Sequence, residues 1–198
     1  MLKLIARGFI VSCALLLASC DAPPPPKVNE LSFTKLPIIK VNVANIEVVD
    51  AYKSPYKAPN IEHLMPYTPA DAMHIWVKDR LRATGSDKLL QITILDAPVT
   101  STDLPTSKGV KGVFTVEQDK RFDAKLEVEM RLYGGEALSE ANTSVSVMRS
   151  ITIPENASVN ARRAAYEKLI AEMMDMLNAK LENNMLNYMG NAVSFSGK

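Results

Sequence analysis

The chain has 198 residues, 47% hydrophobic and 23% charged, and its 23 Lys+Arg against 22 Asp+Glu give a formal charge of +1. That length supports one domain with a substantial core, and balanced charge excludes a nucleic-acid binder, which needs a basic face. Two cysteines exclude a disulfide-framework scaffold.

The first residues read as an address. Lys3 and Arg7 precede an apolar run over residues 8–17, and Leu17-Ala18-Ser19-Cys20 follows. This resembles a bacterial lipobox, in which small residues precede the thiol that receives a diacylglyceryl group. An ordinary secretory signal with an incidental Cys20 is the plainer alternative, but all four positions fit. Residues 1–19 are thus expected as a signal peptide. Losing Lys3 and Arg7 leaves 21 basic against 22 acidic side chains. Cys13 leaves with the signal and Cys20 becomes a thioether, so this reading excludes a catalytic cysteine, a disulfide and a Cys-ligated zinc.

Acylation of Cys20, palmitate included, implies stable membrane anchoring by more than one chain. Asp21 resembles the inner-membrane retention signal of enteric lipoproteins, and leaves inner against outer membrane undecided. Pro23-Pro24-Pro25-Pro26 form a spacer rising about 3.1 Å per residue. Residues 20–35 are expected as a linker, 36–190 as one α+β domain and 191–198 as a tail. Beyond the signal, no apolar run is long enough to span a bilayer.

In the domain, Ile39, Val41 and Val43 alternate with polar residues, and a parity slip at Ala44-Asn45 predicts a bulge before Ile46 and Val48. Residues 51–67 read as an ordered loop, too apolar and aromatic for disorder. Thr68, Pro69 and Asp71 predict a helix start. Ala70, Met73, Val77 and Leu81 form its inner stripe with Trp76 flanking, and Gly85 is placed as its C′ residue. Leu90, Ile92 and Ile94 predict a strand, as do residues 113–116. Phe122, Ala124, Leu126, Val128, Met130 and Leu132 give the cleanest alternation, and Thr143, Val145 and Val147 return beside it after Gly134-Gly135. Residues 160–189 predict a long helix whose far end overhangs the sheet, with Met174 and Met176 flanking its main stripe. The order β-loop-α-β-β-β-α predicts an α+β fold: a four-stranded, mostly antiparallel sheet with two helices on one face.

Chemical motifs are sparse. His63 and His74 stand on different elements outside any metal-ligand pattern. His63 is expected to hydrogen-bond within its loop and His74 to lie exposed. No serine occupies a nucleophile elbow, and Glu127 and Glu129 share a solvated strand face. Residues 109–112 have a GxxG shape without helical flanks and read as a turn. No cofactor, metal or catalytic residue is expected.

Pro59-Asn60-Ile61-Glu62-His63-Leu64-Met65-Pro66, Trp76 with Asp79-Arg80-Leu81, and Phe114-Thr115-Val116-Glu117-Gln118 resemble a largely uncharacterised, mainly alphaproteobacterial family of envelope lipoproteins. The resemblance implies no activity. In architecture the chain is also similar to auxiliary lipoproteins of envelope lipid-transport systems.

The expectation is a non-enzymatic, membrane-anchored periplasmic lipoprotein, an accessory or scaffold component of envelope assembly or transport with a protein partner. The alternative is a lipid or small-molecule carrier with a cavity between sheet and long helix. The expected recognition surface is the loop over residues 55–67 with the first turn of the helix after it, through Tyr56, His63, Met65 and Tyr67; the alternative is that these residues only cap the open end of the core.

Overall fold

A computed structural model describes residues 30–105, 118–134, 139–154 and 156–196. The expectations for Cys20, Asp21, the proline run, residues 109–112, the strand over 113–116 and Gly135 lie outside the described residues.

The alternating segments build the sheet. Strand β6 (Gln118–Tyr133) pairs along its length with antiparallel β7 (Ser139–Pro154). Its other edge carries two strands end to end. β4 (Leu89–Asp96) faces residues 127–133, and β5 (Val99–Asp103) faces residues 120–124. β2 (Asn45–Asp50) runs parallel to β4 at the outer edge. Five strands therefore occupy four positions, mostly antiparallel, and the α+β class holds. On β6, Phe122, Ala124, Leu126, Val128, Met130 and Leu132 are buried, and the intervening charged residues face outward.

Several details differ from the sequence reading. No bulge joins residues 39–50: β1 (Ile39–Val41) stops, the chain bends, and β1 enters a second sheet between parallel β3 (Leu81–Ala83) and antiparallel β8 (Val193–Phe195). β8 lies within the segment expected as a tail.

Helix α1 (Pro69–Arg80) starts as its sequence dictates. The Thr68 hydroxyl accepts from Asp71 N–H at 3.0 Å, and the Asp71 carboxylate accepts from Thr68 N–H at 2.8 Å. Its inner face is rotated from the expected stripe: Ala72, Met73, Trp76 and Arg80 are buried, and Ala70 and Val77 only partly. The helix passes directly into β3, so Gly85 is no C′ residue. A Cβ there would stand 2.7 Å from the Asn42 carbonyl carbon and 2.8 Å from Val43 N, so close approach to the bend explains the glycine.

Helix α2 (Val159–Met189) is capped by Ser158, whose hydroxyl accepts from Ala161 N–H at 3.2 Å. Leu169, Ile170, Met173, Met174, Leu177, Leu181, Met185 and Met189 are buried against the sheet. Met174 thus belongs to the core, and Met176 alone of this flanking pair is exposed. Met185 and Met189 are covered as the chain turns through Gly190–Ala192 into β8, whereas Val159 is 83% exposed.

The helices are joined by a polar staple. Trp76 Nε1–H donates to Asn178 Oδ1 at 2.9 Å. The fully buried Arg80 donates through Nε to Pro37 O (2.7 Å), through Nη1 to Asn178 Oδ1 (2.5 Å) and through Nη2 to Glu182 Oε1 (2.7 Å). Asp79 holds the entering chain, accepting from Phe33 N–H at 2.8 Å. These contacts give the Trp76 and Asp79-Arg80 motif a structural role.

Candidate functional site

Residues 51–67 contain neither strand nor α-helix, yet the loop is built around one buried carboxylate. Glu62 opens a 3-10 turn (Glu62–Leu64). Its Oε1 accepts from Tyr52 OH at 2.8 Å and Ser54 OH at 2.6 Å, and its Oε2 from Val99 N–H at 3.2 Å. Asn60 Nδ2 lies 3.4 Å from both oxygens. The backbone is tied to β5 by Ile61 N–H to Val99 O at 2.8 Å and Ser101 N–H to Pro59 O at 2.9 Å. Burial acts to raise the Glu62 pKa, but the hydrogen bonds from Ser54, its own backbone N–H, Tyr52 and Val99 outweigh it and hold it below the ordinary value. Burial, reinforced by the bond to Glu62, raises the Tyr52 pKa and keeps that phenol neutral. With its oxygens so engaged, this carboxylate orders the loop and is not free for acid-base chemistry.

The four expected recognition residues separate into two kinds. Tyr56 is 74% exposed with φ +52°, and its ring centroid lies 5.6 Å from that of exposed His63. His63 is thus engaged by a ring, where a hydrogen bond within the loop was expected. Met65 and Tyr67 are partly buried and pack on the core. Burial, with the nearby Glu167 charge, raises the Tyr67 pKa. Leu64, 68% exposed, was missed as a surface residue. In sequence it looks like any core leucine; only the turn set by Glu62 points it outward.

The turn divides two clefts. One, about 410 Å³, is lined by Asp50, Tyr52, Lys53, Ser54, Tyr56, Glu62 and Asp71. Exposed His74 stands at its border, 2.9 Å from Asp50. The other, about 390 Å³, is apolar: Leu64, Met65 and Pro66 face Val159 and Tyr166, with Arg162 and Arg163 beside them. Tyr166 is steadied by edge-on contact with Phe122, centroids 5.1 Å apart. A third cleft, about 470 Å³, lies at the other end of α2 among Lys88, Glu140, Leu186 and Tyr188. Among the described residues, no three His, Cys, Asp or Glu side chains gather as metal ligands, and no helix is long and apolar enough to cross a membrane.

No protein-family model matches this chain, and no curated protein matches it in sequence. Among solved structures, the chain is similar to a minor lipoprotein from Acinetobacter baumannii at 9% identity, covering 80% of this chain and 99% of that one, with TM-score 0.37. A lipoprotein from Neisseria meningitidis is similar at 13% identity over 71% of this chain and 99% of that one, with TM-score 0.28. At this similarity neither assigns a function.

Proposed function

We propose that the chain is a non-enzymatic periplasmic lipoprotein, anchored through Cys20, that serves as an accessory or scaffold component of an envelope assembly or transport system. It recognises a protein partner through the Tyr56–His63 pair and the cleft beside it.

The observation that carries this reading is where the apolar groups lie. Ile92, Leu126, Val128 and Met130 on the sheet, and Leu169, Ile170, Met173, Leu177 and Leu181 on α2, are 0–1% exposed. A side chain lining a lipid-sized cavity would present accessible surface to it. These do not, which supports a filled layer between sheet and α2 over the carrier alternative. Tyr56, Leu64 and Val159 are instead the most exposed large apolar side chains among the described residues, which suits a protein that works by contact.

The test is recovery of a partner from the native envelope with wild-type protein and with a His63→Ala variant of unchanged melting temperature. A partner recovered in proportion to wild type and lost from the variant supports the reading. Equal recovery with both moves recognition away from this pair.

A further inference from the structure

We propose that the end of the domain formed by Leu64, Pro66, Val159 and the arginines of the first turns of α2 rests on an anionic phospholipid surface. This extends the proposed function and rests on its reading of Cys20 as the anchor.

Two independent observations converge on this face. The first is its chemistry. Leu64 and Val159 are the exposed aliphatic groups of an apolar cleft, Tyr166 stands behind them, and Arg162 and Arg163 border it. Arg163 Nε is held 3.2 Å from Glu167 Oε1, and Arg162 Nε donates to Ala157 O at 3.2 Å, so both side chains are fixed along α2. Aliphatic groups flanked by arginine match a headgroup boundary: the former enter the acyl edge, and the guanidinium groups meet phosphates. Each cation near an anionic leaflet is favoured, and salt screens the attraction.

The second observation is where the described chain begins. Glu30 and Leu31 line a cleft with Tyr67, Ala164, Lys168 and Ala171, so the domain is entered beside the early turns of α2. Ala164 is about 8 Å along the helix axis from Val159 and about 33 Å from Leu186. Cys20 precedes Glu30 by ten residues, at most about 33–36 Å of extended chain. A lipid on Cys20 is therefore within reach of a bilayer placed against the Val159 end, and the aliphatic and arginine side chains there select that end.

The test uses the full lipidated chain carrying an environment-sensitive dye at Val159→Cys or, separately, at Leu186→Cys. Each is reconstituted into phosphatidylethanolamine–phosphatidylglycerol vesicles containing a lipid-attached quencher. The label at 159 should shift to the blue and be strongly quenched, and the label at 186 should not. Adding Arg162→Glu and Arg163→Glu should abolish most of the quenching at 159. Flotation with the vesicles while the 159 label stays in water, or equal quenching at both positions, overturns the proposal and leaves anchoring intact. A 159 label shielded only when a soluble protein is added gives the face to a protein partner and also overturns it. A chain that does not float with the vesicles overturns the anchoring reading, and this inference with it.

Discussion

The guanidinium of Arg80 lies 5.8 Å over the ring of Trp76, one turn earlier on α1, and both side chains donate to Asn178 Oδ1 on α2. The pair ties the two helices and the Pro37 carbonyl into one unit.

Trp76→Ala should therefore cost about 3–5 kcal/mol, the usual loss for a large core side chain. Denaturant unfolding monitored by circular dichroism measures it. A loss under about 1 kcal/mol would place the ring outside the core.

Arg80→Met should cost about 3 kcal/mol, because it leaves the Pro37 carbonyl and Asn178 short of donors inside the protein. Glu182→Gln should stay within about 1 kcal/mol. Its side chain is 34% exposed, so water screens part of the lost charge, and the amide oxygen of Gln can still accept from Arg80 Nη2. Equal losses from the two variants would show that the ion pair, and not the buried donors, supplies the stability.

What could be read from the sequence follows how local each feature is. The Thr68–Asp71 cap, the β6 alternation and the spacing in α2 each use neighbours within one element, so they specify their elements directly. β3 and β8 have three residues each and exist only through pairing with β1, across 42 and more than 150 residues of chain. β5, with the sequence Val-Thr-Ser-Thr-Asp, lacks an apolar alternation and is defined by its register on β6. At the site, the loop over residues 51–67 was legible as ordered. Glu62 as its buried centre was not, because no local spacing reveals a carboxylate whose donors come from residues 52, 54, 60 and 99.

Glu62 should make stability fall in acid. Its folded pKa lies below its ordinary value, about 4.3 in the unfolded chain. Its contribution is therefore fully present above that value and disappears as pH falls through the lower folded pKa. Glu62→Gln should lose about 1–3 kcal/mol at neutral pH and flatten the acid limb of the stability profile. Melting temperature against pH for both proteins measures this, and parallel profiles would contradict it.

Tyr56 holds φ at +52°, a region that costs a non-glycine residue about 1–2 kcal/mol. Tyr56→Gly should leave the melting temperature unchanged or raised, because the strain is released and the lost ring is exposed. Partner recovery should fall in the same variant. A lowered melting temperature would assign Tyr56 to the stability of the loop.

The most direct test of the central claim, that this domain acts by contact and not by enclosing a ligand, is mass spectrometry of the lipidated protein purified from its own envelope. Bound proteins and extracted lipids are quantified together. The account predicts a stoichiometric protein partner, lost in the folded Tyr56→Gly variant, and no lipid beyond the acyl chains on Cys20. A stoichiometric extractable lipid, with no partner that responds to Tyr56→Gly, would contradict it.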